Sequence, residues 1–338
     1  MPTLQLKPLS EQVVVVMGAS SGIGRAVAVE AARAGAKVVV SARSEPALRS
    51  LVAQIEADGG SAVAVVADVA DPGQVRAVAD RAVAAYGGID TWMHLAGVAL
   101  FAPFERTTPE EFRRVLDVNL LGQVHGAMAA LPHLKRRGGG ALIHVTSMGA
   151  KRAVPLQTAY IASKHGVDGF VETLRMELER EQVPVSVTQV LPATINTPLF
   201  DQARAKIGVK PVAPPPVYQP DVVVKALLHA AQHPQRDVVV GGAAKALIVG
   251  EKIAPRLVDA LMVRFGFEAH DTGEPKSEDA PDNLFAPLPH IDTARDGFDR
   301  SALRHSLYGS VSRALAPERL PLVGAGLNLL AHGRRALR

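Results

Sequence analysis

The sequence predicts a doubly wound α/β fold, a seven-stranded parallel sheet followed by a C-terminal extension. Three observations carry that expectation. Short β-branched runs alternate with stretches of helical spacing, several of those runs are apolar almost throughout, and a glycine cluster follows the first of them. Strands buried on both faces lose the in/out alternation of a half-exposed sheet, and the alternation of strand with helix selects parallel pairing.

Val13–Met17 reads as the first strand, a helical pattern from Ile23 to Ala34 stops at Gly35, and Val38–Ser41 is the second strand. A strand, a turn, a helix and a strand within so few residues make a parallel crossover unit. Further strands are expected at Ala62–Val66, Thr91–Leu95, Leu142–Thr146, Val185–Val190 and Val238–Val240. Helices are expected near 46–57, 73–85, 109–131, 160–180 and 220–233. Residues 1–242 are therefore expected to form the main α/β domain, and the proline-rich stretch 192–218, with Pro211 and Pro214–Pro216, reads as a pocket wall or lid.

Residues 243–338 form the extension. Ala243–Val263 has helical spacing, Glu268–Pro289 is acidic and proline-containing and reads as an extended wrap, and Ser301–Leu315 and Pro321–Ala331 are again apolar. From Arg300 onward there are seven arginines against one acidic residue, Glu318. Packing on its own core or on a second subunit is the favoured reading of this extension, ahead of peripheral membrane contact.

Composition narrows the function. With 48% hydrophobic and 21% charged residues the chain has an ordinary globular balance, and a formal charge of +4 without a basic, aromatic-interleaved block argues against nucleic-acid binding. It contains no cysteine, which excludes disulfides and thiolate chemistry. No apolar run approaches the roughly 18 residues of a membrane span, Met1–Gln12 carries no long apolar run, so that no secretory signal is expected, and the expected location is cytoplasmic.

Gly18, Gly22 and Gly24 lie between the first strand and its helix, where the backbone turns sharply and the helix N-terminus faces an anion such as a pyrophosphate. This is the Rossmann-like arrangement, and Ser20, Ser21 and Ile23 belong to the same turn. After the second strand come Ser41, Ala42 and Arg43, so no carboxylate stands where a 2′-hydroxyl would want one, and a guanidinium is available for a 2′-phosphate. The expected cofactor is NADP rather than NAD. Asp68 and Val69, after the third strand, are placed to meet the adenine.

Tyr160 and Lys164 lie one turn apart on one helix face. A phenol is a poor base at neutral pH, and a neighbouring ammonium together with a positive nicotinamide would lower its pKa. Ser147, thirteen residues earlier, can hold the substrate oxygen near Tyr160. Asn119 interrupts an otherwise apolar helical stretch, where it could bend the helix or hold a proton-relaying water.

Together these residues resemble the classical short-chain dehydrogenase/reductase family over about residues 10–242. The resemblance implies the catalytic set Asn119, Ser147, Tyr160 and Lys164, cofactor contacts that include Ala96, Pro192, Ile195 and Thr197, and direct hydride transfer with Tyr160 protonating the forming alkoxide. It also implies a homodimer or homotetramer and no metal. Two departures stand out: His94-Leu95 replaces the family's pair of asparagines, with His94 read as a structural replacement, and Ala193 replaces a glycine.

Val98, Met148, Ala150, Val154 and Gln157 are expected to line a mostly apolar substrate pocket, which favours an uncharged, fairly hydrophobic carbonyl compound or secondary alcohol. The alternatives are a cofactor-sensing binding or regulatory protein without turnover, and epimerase or dehydratase chemistry on the same fold.

Overall fold

The computed structural model describes residues 4–288, 291–295 and 302–304. Seven parallel strands form one sheet: β1 (Val13–Met17), β2 (Lys37–Ala42), β3 (Ser61–Val66), β4 (Thr91–His94), β5 (Gly140–Val145), β6 (Val185–Pro192) and β7 (Asp237–Val240). Their spatial order is β3-β2-β1-β4-β5-β6-β7. The order reverses between β1 and β4, and in such sheets the crevice outside the carboxyl ends of the strands at that point is where ligands bind.

Along β1 every residue is buried, with Val14 and Val16 in one hydrophobic cluster and Val15 and Met17 in the other. The first cluster is closed by α1 (Gly22–Arg33), α2 (Glu45–Ala57) and α7 (Pro220–Ala230), the second by α3 (Pro72–Tyr86), α5 (Gly122–Arg136) and α6 (Thr158–Arg180). This double covering explains the unbroken valine run.

Local signals set the helix starts. The Ser44 hydroxyl accepts from Ala47 N–H ahead of α2, Asp71 accepts from the N–H groups of Gly73 and Gln74 ahead of α3, and Thr108 with Glu111 forms a capping box at α4 (Pro109–Leu116). The stretch expected as one helix over 109–131 is α4, a π-helical turn at Asp117–Leu121 and then α5. Asn119 sits inside that turn.

Beyond β7 come α8 (Gly242–Ile253) and α9 (Pro255–Phe265), then a short strand, Asp271–Pro275, antiparallel to Val209–Pro211 of the loop after β6. The buried Arg152 guanidinium pairs with both Glu251 and Asp259, joining α8 and α9 to the core. Most of Ser301–Leu315, and all of Pro321–Ala331, lie outside the described residues. Within the former, Leu303 forms a bridge to Tyr218.

Gly126 of α5 faces two buried rings of β4. A Cβ there would lie 2.6 Å from His94 Nδ1 and 2.9 Å from Trp92 Nε1, and both side chains are fully buried. Neither ring can move aside without shifting β4. Gly126→Ala is expected to destabilise the fold by about 1–3 kcal/mol, measured by urea unfolding followed through Trp92, the single tryptophan. An unchanged midpoint would contradict this packing.

Candidate active site

The carboxyl ends of β1, β2, β3, β4, β5 and β6 open onto one cavity of about 290 Å³. It is lined by Gly18, Ser20, Ser21, Gly22, Ile23 and Gly24 after β1, by Arg43 after β2, and by Asp68 and Val69 after β3. Ala96 and Val98 follow β4 and Ser147 and Met148 follow β5, while Val154, Gln157, Tyr160 and Lys164 approach along α6 and Pro192, Ile195 and Thr197 follow β6. Two expected residues are not among those lining it. Asn119 lies fully buried behind it, and Ala150, 1% exposed, is buried in the turn after Ser147.

The glycines of the first turn have a reason the sequence did not show. Gly18 has φ +85°, and a Cβ on it would lie 2.5 Å from Ala96 N; on Gly24 it would lie 2.1 Å from the Gly18 carbonyl oxygen. The turn is therefore glycine-built because it presses against the loop after β4 and because α1 starts on top of it. Ser21 occupies the N-cap position of α1 but makes no side-chain cap bond, and its hydroxyl instead accepts from Gln202 Nε2 at 3.3 Å.

At the catalytic end, Ser147 stands near the Tyr160 phenol and Lys164 Nζ lies 5.3 Å from the centre of the Tyr160 ring. Burial pushes the phenol up, with Ser147 pulling the other way, and lowers the Lys164 ammonium to about 8. In the protein alone the phenol moves away from neutral pH, because desolvation disfavours the phenolate.

Asn119 joins this end to the loop after β4. Its Oδ1 accepts from Val98 N–H at 2.8 Å, while its Nδ2 donates to the Val98 carbonyl at 2.9 Å and to Ser163 Oγ at 3.2 Å. Gly97 lies between: a Cβ on it would be 3.4 Å from Asn119 Oδ1 and 3.9 Å from Lys164 Nζ. His94 does not line the cavity. It is fully buried beside His144 in the sheet, and burial holds both rings neutral, His94 well below its usual range and His144 at about 3.

At the end of the cleft after β3 both Asp68 oxygens already accept bonds, Oδ1 from Ala70 N–H at 3.0 Å and Oδ2 from Arg114 at 2.6 Å. Arg43 donates to the carbonyls of Asn283 at 2.6 Å and Phe285 at 3.2 Å. Sequence reasoning missed Arg114, and also the aromatic wall of the substrate end. Phe101 and Phe200 meet at a tilt of 37° with ring centres 5.9 Å apart, and His270 of the extension meets Phe101 edge-on at 5.3 Å with its Nε2 3.5 Å from Gln157 Nε2. A lone histidine in an acidic, proline-containing stretch gives no periodic or motif signal, so His270 could not have been found that way. Among the described residues no cluster suited to a metal is present, and no helix is long and apolar enough to cross a membrane.

A glycine turn at the crevice of a doubly wound sheet, with half-buried Tyr160 and Ser147 and buried Lys164 at its other end, defines a dinucleotide-fold oxidoreductase site. The short chain dehydrogenase family model matches residues 12–208. The chain is 40% identical over 276 residues to the uncharacterised oxidoreductase YxnA of Bacillus subtilis, which covers 81% of this chain and 78% of that one. It is also 37% identical over 193 residues to 3beta-hydroxysteroid dehydrogenase 1 of Eggerthella lenta, with 56% and 73% covered. A short chain dehydrogenase/reductase from Burkholderia phymatum, solved in complex with NAD, superimposes with a TM-score of 0.68 at 24% identity, over 75% of this chain and 96% of that one. The chain belongs to the short-chain dehydrogenase/reductase family of oxidoreductases.

The buried lysine makes a stability prediction. Its folded pKa, about 8, lies below the ordinary 10.5, so the folded chain gives up this proton first as pH rises. Below pH 8 the fold carries the whole cost of a buried ammonium, and that cost fades between about 8 and 10.5. Lys164→Met is expected to unfold at higher urea than the parent at pH 7, by up to about 3 kcal/mol, with the gap narrowing above pH 8. A gap that widened with pH would contradict the assignment.

Proposed function

We propose that the chain is an NADP(H)-dependent dehydrogenase/reductase acting on an uncharged, fairly hydrophobic carbonyl/secondary-alcohol pair, with Tyr160 as acid/base. The observation that carries this reading is the convergence of Tyr160, Ser147 and the buried Lys164 on the same cavity as the glycine turn.

The N–H groups of the glycine turn and the start of α1, other than that of Gly22, which donates to the Thr293 carbonyl, would hold the pyrophosphate, and Pro192, Ile195 and Thr197 would border the nicotinamide, which supplies or accepts the hydride. Ser147 positions the substrate oxygen beside the Tyr160 hydroxyl, and in the reducing direction that hydroxyl gives its proton to the forming alkoxide. Lys164 contributes its charge. Since burial alone raises the phenol, the lowering needed for base work has to come from Lys164 held as ammonium and from the positive nicotinamide acting together. Asn119, whose Oδ1 faces the Gly97–Lys164 gap, is suited to hold a water that relays a proton toward Lys164.

Arg43 supports phosphate recognition. Its two strap bonds leave other guanidinium donors, and Arg114, paired to Asp68, adds a second cation nearby. The walls formed by Val98, Phe101, Val154, Leu199 and Phe200 favour an apolar substrate body, and Gln157 with His270 supplies one polar corner.

A screen of ketones, aldehydes and secondary alcohols with both cofactors tests the reading. Tyr160→Phe is expected to lower kcat by about 10²–10⁴ while still binding NADPH. Full activity in that variant would remove Tyr160 from the role. Arg43→Ala is expected to reduce the ratio of NADPH to NADH affinity by about tenfold, roughly 1.4 kcal/mol, in a fluorescence titration. An unchanged ratio would end the case for 2′-phosphate recognition.

A further inference from the structure

We infer that the C-terminal extension roofs the cofactor cleft, so that residues 282–288 and 291–295 are part of the dinucleotide site and control how fast the cofactor leaves. The inference rests on the cofactor reading above and adds a wall that no residue of the core supplies.

Fixed points lie at both ends of the span. At the end of the cleft after β3 Leu284 is fully buried, in the same hydrophobic cluster as Val69, Val98 and Val118. Its carbonyl accepts from Arg114 Nε at 2.9 Å, and the flanking carbonyls of Asn283 and Phe285 accept from Arg43. Asn283 is tied to the loop after β6 by two bonds, its N–H to the Gln202 carbonyl at 2.9 Å and its Nδ2 to Gln202 Oε1 at 2.7 Å. At the glycine turn, Gly22 N–H donates to the Thr293 carbonyl at 2.9 Å, and Arg295 pairs with Asp221 at 2.8 Å.

Between these points the described residues border open space. Asn283, Pro287, Leu288 and Ile291 line the same cavity as Gly18, Arg43, Tyr160 and Lys164. The cleft thus continues beneath the segment, and Leu284, the one fully buried side chain among its described residues, is seated in the core instead of the cavity. A roof over a preserved cavity differs from a plug in it: a roof slows release of what lies beneath, whereas a plug would have to be displaced before anything bound. Because the roof carbonyls hold Arg43, it also fixes the guanidinium assigned to the 2′-phosphate.

The absence of cysteine allows a direct test in the full chain. Asn283 and Gln202 meet through one backbone and one side-chain hydrogen bond, so their side chains lie side by side. Gln202→Cys with Asn283→Cys should therefore cross-link the roof to the loop after β6 on oxidation. With NADPH bound first, oxidation is expected to slow its release by about tenfold or more, read as loss of nicotinamide fluorescence on dilution into excess NADP, and reductant should restore the original rate. Equal release rates before and after oxidation would overturn the roof, and so would a bridge that forms only without NADPH, since that outcome describes a plug. Arg295→Glu, an exposed change that sets like charge against Asp221, keeps the test independent of cross-linking and should speed release. Release unchanged or slowed in that variant would count against the proposal. If the unmodified chain bound neither NADPH nor NADH, the cofactor reading would fail and the roof with it, whereas binding with insensitive release would overturn the roof alone.

Discussion

The Asn119 side chain holds the two sides of the cleft in register. One amide satisfies both the N–H and the carbonyl of Val98, and it also reaches Ser163 on the catalytic helix. These atoms are buried, so without the amide two backbone groups would be left unpaired at about 1–3 kcal/mol each. The π turn at Asp117–Leu121 is the local distortion that lets a helix deliver the amide there. Through this contact the loop after β4, which carries Gly97 and Val98, is fixed against α6, which carries Tyr160 and Lys164. Positions within the site follow from it.

The same constraint explains why some features were legible in the sequence. The valine runs of β1 and β2 announce burial on both faces, and helix starts at Ser44, Asp71 and Thr108 carry their capping residues with them. Tyr160 and Lys164 are one turn apart on any helix, so their proximity needs no tertiary information. Asn119 was conspicuous as an amide in an apolar stretch, but its partner is backbone, and backbone hydrogen bonding leaves no mark in the sequence. Hence the helix expected over 109–131 lacked its π turn, and Ala150 was assigned to a pocket from which the turn after Ser147 withdraws it.

The end of the cleft after β3 was less legible because its geometry depends on contacts far apart in sequence. Arg43 was read from its place after β2, yet its guanidinium meets Asn283 and Phe285 some 240 residues on. Asp68 was read as facing the adenine, whereas Arg114 claims one of its oxygens. His270 reaches Gln157 by a route that no periodicity reveals. A segment without regular structure gains its meaning only from the surface on which it lies, and here that surface is the opening of the cleft.

The central claim is that this cleft brings a reduced nicotinamide and a carbonyl carbon together while the chain supplies the proton. Incubating the enzyme with a turned-over ketone and NADPH deuterated at both C4 positions, in ordinary water, tests it most directly. The account predicts that the deuterium appears on the carbinol carbon of the product and the hydroxyl proton comes from solvent. An alcohol that carried no deuterium from the cofactor would contradict it.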